Sequence, residues 1–211
     1  MSNDLMNMLQ QQLGNDDFIS SLSKQIGGAE PAQTKVAASS IITTLMGAMT
    51  RNASTPEGAN ALANALDRDH DGSILEDAIG MLSGQKQASN AKMVNGAGIL
   101  KHLLGGKQNG AVDMISQLSG LDSSKTGSLM TMLAPLLMGA LGKTKKQSGL
   151  GAGDIFNLLQ GTVSTQRQQN TGNQGMDMIS MFLDQDGDGD IKDDVLKIGG
   201  KLLSGFFRRK R

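Results

Sequence analysis

The amino-acid sequence predicts an all-α protein built from two related helical halves, each with an EF-hand-like Asp/Gly loop between helices. Apolar residues recur at helical spacing, and no stretch alternates like a strand or is enriched in β-branched and aromatic residues. Of the 211 residues, 38% are hydrophobic and 28 are glycine, which is enough material for a buried core. A series of motifs recurs in the same order, and this recurrence predicts the two halves.

Glycine, proline and capping residues separate the predicted helices of the first half. The first helix ends at Gly14, Asp16 caps the second, Pro31 lies in the first turn of the third, and Thr55 and Pro56 open the fourth. Their apolar stripes, and that of the helix after the Asp-rich loop, are Leu5, Met6, Leu9, Leu13; Phe18, Ile19, Leu22, Ile26; Val36, Ile41, Ile42, Leu45, Met46, Met49; Leu62, Leu66; and Ile74, Ile79, Leu82. We expect the third helix to form the centre of this half.

The second half repeats this series. Residues 18–23 (FISSLS) align with 114–119 (MISQLS), and residues 45–49 (LMGAM) align with 137–141 (LMGAL). Asp-rich loops follow in both halves. The repeat predicts that the two LMGA blocks are buried in a common core, with their small residues allowing close approach of the two long helices. Chance similarity among Leu-, Met- and Gly-rich helices is the alternative.

Composition divides the chain into four parts. Residues 1–84 form the first half, 85–96 a linker, 97–205 the second half, and 206–211 a basic tail. Within the second half, the polar residues 162–175 are typical of a flexible insertion. Pro135 lies inside the second long helix, where we expect it to kink or divide the helix, and Thr43 occupies the matching place in the first half.

The two Asp-rich loops match the first eight positions of an EF-hand loop. DQDGDGDI begins at Asp184 and DRDHDGSI begins at Asp67, with carboxylates at positions 1, 3 and 5, glycine at 6 and isoleucine at 8. Oxygen ligands two residues apart on a tight turn converge on one hard cation. The apolar eighth residue anchors the loop to the core.

Neither loop has the bidentate Glu usual at position 12, which is Ala78 in one loop and Val195 in the other. Acidic residues fall at positions 10 and 11 instead, which predicts a variant loop of weak affinity. The candidate ligands of Ca²⁺, or less well Mg²⁺, are Asp184, Asp186, Asp188, Asp190 and Asp194, and Asp67, Asp69, Asp71, Ser73 and Asp77. The alternative is a solvated Asp/Gly turn whose carboxylates favour the N-terminus of the next helix.

The sequence indicates a non-enzymatic protein. With no cysteine, no GxSxG and no HExxH, there is no candidate for triad chemistry or zinc hydrolysis. His70 falls at loop position 4, which normally points outward, and His102 falls on a helix face. The 14 methionines are typical of core filling, although methionine also forms adaptable binding grooves. We therefore expect a Ca²⁺-binding structural or interaction protein, whose partner is another protein or a second copy. A metal-dependent hydrolase using the Asp clusters is an alternative.

The net charge of zero argues against a global attraction to nucleic acid or membrane, so such binding must be local. The tail offers one local site, because Phe206 and Phe207 precede the four consecutive cations Arg208, Arg209, Lys210 and Arg211. This combination suits an anionic membrane or nucleic acid, and makes an adaptor the alternative function. A frayed tail whose cations complement the end of the last helix is the simpler reading.

No apolar run is long enough to span a membrane, and the N-terminus does not have the pattern of a secretory signal. We therefore expect a cytoplasmic location. The alternative is export without a cleaved leader.

Four segments resemble a bacterial family. They are HDGSILEDAIGMLSG, ILKHLLGGKQNGAV, ISQLSGLDSSKTGSLMTMLAPLLMGALG and LDQDGDGDIKDDVLKIGGKLLSG. Together they are similar to domain of unknown function 937, with YidB-like proteins as more distant relatives, over nearly the whole chain apart from the polar linker and the tail. The resemblance implies a small bacterial helical protein without an assigned catalytic activity, and it supplies no functional residues.

Overall fold

The computed structural model describes residues 2–76 and 94–169, and every regular element in these two ranges is helical. The helices are α1 (Ser2–Gly14), α2 (Asp16–Gln25), α3 (Pro31–Asn52), α4 (Pro56–Asp69), α5 (Ser73–Glu76), α6 (Gly96–Leu104), a 3₁₀ turn (Gly105–Lys107), α7 (Gln108–Ser119), α8 (Ser123–Ser148) and α9 (Ala152–Gln169). The all-α prediction is therefore confirmed for the described residues. The relation between the two halves stays a prediction.

The starts of the early helices follow the sequence signals with one correction. The cap of α2 is Asn15, whose side chain accepts hydrogen bonds from the backbone N–H groups of Asp17 and Phe18, so Asp16 is the first helical residue. Pro31 is the first residue of α3, as predicted. At α4, the Thr55 side chain accepts a hydrogen bond from the N–H of Gly58.

The two long helices α3 and α8 contact each other at the centre of the core. The residues of the LMGA blocks lie in this core: Leu45, Met46, Leu137 and Met138 are all buried. This prediction is confirmed. The other helices pack around the central pair, with α2 and α7 on α3, and α6 contacting both long helices.

Two expectations about the second half differ from the structure. Helix α8 continues through Pro135, so the expected division is wrong, while a kink there stays a prediction. Helix α9 continues to Gln169, so residues 162–169, which the composition assigned to a flexible insertion, are helical. Packing accounts for the start of this stretch, because Thr162 is fully buried and its hydroxyl donates to the backbone oxygen of Leu158. Residues 170–175 lie outside the described ranges.

Helix α4, which leads into the first Asp loop, and helix α9, the last described helix before the second, each pack on the long helix of the other half. Helix α4 contacts α8, and helix α9 contacts α3 as well as α1 and α4. Because α4 packs on α8, the end of α4 and the first Asp loop lie against the second long helix. In the described residues, no helix is long and apolar enough to cross a membrane.

Candidate functional site

The first Asp-rich loop is a tight turn between α4 and α5. Helix α4 extends to Asp69, and His70 to Gly72 form the turn before Ser73 begins α5. Gly72 has φ +95°, a conformation that residues with a β-carbon rarely adopt. Two residues later, Ile74 is only 2% exposed and anchors the turn to the protein. The spacing predicts this arrangement, with a glycine turn at position 6 of the loop and a buried isoleucine at position 8.

This turn is seated on α8 at three closely spaced positions. A β-carbon at Gly139 would overlap the side chain of Ile74, and one at Gly142 would overlap the carbonyl oxygen of His70. A β-carbon at Gly72 would lie 2.6 Å from the β-carbon of Lys143. The expectation that Gly139 provides close approach to α3 is therefore wrong, since the space beside it is filled by the loop.

The carboxylates of this loop have separate partners within the protein. Asp67, in the last turns of α4, forms an ion pair with Lys145, with 2.5 Å between Oδ1 and Nζ. Asp71 Oδ1 accepts a hydrogen bond of 3.1 Å from the backbone N–H of Ser73. Hydrogen bonds from the Ser73 side chain and backbone, aided by the charge of Lys146, lower the pKa of Asp71. Asp71 therefore stays ionised and stabilises the turn.

The structure does not bring the predicted ligands of the first loop together. Asp69 closes α4, while Asp67 and Asp71 are engaged as described above. Within residues 2–76 and 94–169, no group of three or more His, Asp or Glu side chains could hold a metal ion. The remaining candidate ligands lie outside the described residues, namely Asp77, Asp184, Asp186, Asp188, Asp190 and Asp194.

His70 points inward, which corrects the outward orientation expected for position 4. It is 5% exposed, because its backbone rests on Gly142 and the turn is pressed against α8. Its Nδ1 is buried without a hydrogen-bond partner. Burial lowers the pKa of His70, with the charge of Asp69 opposing the shift, so the imidazole is neutral near pH 7.

His70 also borders a groove of about 1120 Å³ between α4 and α6. The exposed His102 lies on the α6 wall and Arg68 on the α4 wall, while Leu62, Leu103 and other apolar side chains contribute to the floor. The two histidines of the chain therefore line one surface, which their separation in sequence did not reveal. The rest of the rim carries side-chain amides and one carboxylate, that of Glu57, so the groove is bordered by both neutral polar and charged groups.

Sequence reasoning missed two residues of this site, Gly142 and Lys145. The sequence could have indicated Gly142, because Gly139 and Gly142 are one turn apart and leave a notch on one face of α8. No local signal identified Lys145 as the partner of Asp67, since 78 residues separate them in sequence.

Residues 7–144 match the model of a family described as bacterial proteins of unknown function, DUF937. The chain belongs to the DUF937 family. The match contains both the turn at His70–Ile74 and its seat at Gly139 and Gly142, so the DUF937 region includes this packing unit. The Asp184 loop lies beyond it, so the match is shorter than the near-complete resemblance expected from the sequence.

No curated protein and no solved structure matches the chain. The DUF937 description assigns no activity, and the more distant likeness to YidB-like proteins stays a prediction.

Proposed function

We propose that the chain is a non-enzymatic helical protein that binds one divalent cation, Ca²⁺ or less well Mg²⁺, at the Asp184 loop, while the Asp67 loop serves mainly as a structural turn. The observation that carries this assignment is the ion pair between Asp67 and Lys145. Because a lysine already neutralises the first carboxylate of the first loop, that loop has less need of a cation.

The second loop differs at the positions that matter for charge. When the alignment of the LMGA blocks is extended, the residue that matches Lys145 is Ala53, the C-cap of α3, which has no charge to pair with Asp184. Arg68 and His70 are replaced by the uncharged Gln185 and Gly187.

Asp190 also takes the place of Ser73 and adds a carboxylate. Closely spaced carboxylates repel one another unless a cation neutralises them, so these differences favour metal binding in the second loop. A bound cation would act by fixing the angle between the helices on either side, without making or breaking covalent bonds. We propose a non-enzymatic protein because the sequence patterns offer no nucleophile with a positioned base and no zinc-binding motif.

Calorimetric titration of the full chain with Ca²⁺ tests the proposal. We expect one site of weak affinity that Asp186→Ala abolishes and that Asp69→Ala, the matched change in the first loop, leaves in place. No heat at millimolar Ca²⁺, or equal loss in both variants, would contradict it. The compartment of the protein decides which cation occupies the site. In the expected cytoplasm, where free Ca²⁺ is low, a weak site would hold Mg²⁺ or stay empty. Export would expose the site to Ca²⁺.

A further inference from the structure

A cavity of about 310 Å³ is lined by residues of α1, α2, α3, α5 and α8. Most of its lining residues are large and apolar, and they include the buried side chains of Leu9, Phe18, Ile42 and Leu137. Protein interiors are normally packed without voids much larger than a water molecule. An apolar space of this size matches the smaller ligand sites of proteins.

Three polar side chains line the same cavity, namely those of Gln11, Gln12 and Lys143. Gln11 and Gln12 are exposed and Lys143 is partly exposed, so these side chains border the opening of the cavity to solvent. The cavity therefore has an apolar interior and a polar opening, and it favours a ligand that is itself amphipathic.

Lys143 gives the opening a positive charge. Among the described residues it is the one charged side chain that lines the cavity, and no carboxylate there pairs with it. The two nearby lysines of α8 are used differently, because Lys145 pairs with Asp67 and the charge of Lys146 helps to lower the pKa of Asp71. The ammonium group of Lys143 is thus free to bind an anion.

The seat of the first Asp loop fixes one side of the cavity. A β-carbon at Gly72 would lie 2.6 Å from the β-carbon of Lys143, and Ile74 packs at Gly139, one turn before Lys143. Leu75, which lines the cavity, follows Ile74 directly. The turn therefore holds both the cation and part of the apolar wall in place, and a preformed site loses less entropy when a ligand binds.

We propose that this cavity binds a small soluble carboxylate with a single apolar chain. The chain lies among the apolar side chains, and the carboxylate lies at the opening, beside Lys143 and the amides of Gln11 and Gln12. Each buried methylene should raise the affinity by up to about fourfold. One unpaired ammonium matches the single charge of a carboxylate. This binding does not require the proposed cation site.

Decanoate, added to the full chain below its micelle-forming concentration, is the probe. The titration is followed by calorimetry and by NMR of ¹³C-labelled methionine methyl groups, in chelator so that no cation takes part. Met8 lines the cavity, whereas Met49 is buried in the core away from it, and Met8→Leu assigns the Met8 signal. We expect decanoate to shift the Met8 signal and not that of Met49, and octanoate to bind more weakly.

Two lysine variants test the contact with the carboxylate. Lys143→Gln should weaken decanoate binding by about two- to fivefold and leave the neutral analogue decanol unaffected, because only the charged head loses its partner. The matched control Lys146→Gln removes the same charge at an exposed position of α8 outside the cavity, and should change neither affinity.

A third variant tests the apolar interior. Ala140 lines the cavity and is only 2% exposed, so Ala140→Leu fills part of the space and should weaken both decanoate and decanol by at least about threefold. Circular dichroism checks that this variant folds. Leu13→Phe, at a partly exposed lining position of α1, makes the same test if it does not.

The absence of both heat and a Met8 shift at millimolar decanoate would overturn the proposal. Equal shifts of Met8 and Met49, or equal losses in Lys143→Gln and Lys146→Gln, would also overturn it by showing binding outside the cavity. A response to anionic vesicles alone would indicate a membrane surface and refute a soluble ligand. Since every titration is in chelator, none of these results bears on the proposed cation site.

Discussion

The carbonyl oxygen of His70 occupies the space that a side chain at Gly142 would need. This contact joins the turn after α4 to the last third of α8, and with Ile74 on Gly139 it seats the turn on two glycines one helical turn apart. Glycine normally weakens a helix, by about 0.5–1 kcal/mol relative to alanine. At Gly142 that cost is offset by a backbone contact that no other residue permits.

Gly142→Ala should therefore destabilise the protein by about 1–3 kcal/mol, because the overlapping atom is backbone and cannot rotate away. The matched control is Gly127→Ala in the same helix, where a β-carbon would meet no atom within 4 Å. That variant should gain about 0.5–1 kcal/mol from the better helix propensity of alanine. Urea unfolding followed by circular dichroism measures both, and equal effects in the two variants would show that the turn does not rest on α8 as described.

Local sequence patterns predict much of the turn after α4 and of the core around it. The Asp/Gly pattern predicts a turn at Gly72 and an anchoring role for Ile74, and helical periodicity predicts burial of Leu45 and Leu137. The sequence does not show which helix the turn packs on, because periodicity identifies the apolar face of a helix but not the element that contacts it. The inward position of His70 and the Asp67–Lys145 pair both depend on that long-range choice, so sequence patterns alone missed them.

The stability of the protein should fall as the pH decreases from 7 to 5. Burial lowers the pKa of folded His70 below its ordinary value of 6.5, so protonation favours the unfolded chain. The contribution of neutral His70 is fully present above pH 6.5 and is lost as the pH falls toward the lowered pKa. Asp71, whose pKa is also lowered, stays ionised in this window and contributes a separate loss only below its ordinary value of 3.8.

Urea unfolding at pH 7, 6 and 5 measures this dependence. His70→Gln should flatten the pH profile, whereas His102→Gln, which changes the exposed histidine on α6, should leave the slope unchanged. The chain has only these two histidines, so the comparison covers every imidazole. An identical slope in the wild type and His70→Gln would contradict the buried, neutral state of His70.

The basic tail, residues 206–211, lies outside the described residues, and its role as an anionic-surface site stays a prediction. Each basic residue near an anionic membrane contributes about 1 kcal/mol, so four cations should give measurable binding at low salt. Full-length protein should co-sediment with anionic vesicles more than a chain ending at Gly205, and high salt should remove the difference. Equal sedimentation of the two proteins would leave no support for the adaptor alternative.

Lys145 should act as a built-in competitor for any cation at the Asp67 loop. The pair is partly open to solvent, with 59% of the Asp67 side chain exposed, so Lys145→Ala should cost less than about 1 kcal/mol of stability. The same change leaves Asp67 without its neutralising charge, so the first loop should gain up to about fivefold in Ca²⁺ affinity, equivalent to ~1 kcal/mol, and show weak heat where Asp186→Ala alone shows none. Calorimetry in an Asp186→Ala background isolates the first loop, with Lys35→Ala on α3 as the control for a general change in net charge. An isotherm unaffected by Lys145→Ala would mean that Asp67 belongs to the packing of the turn on α8 and not to a cation site.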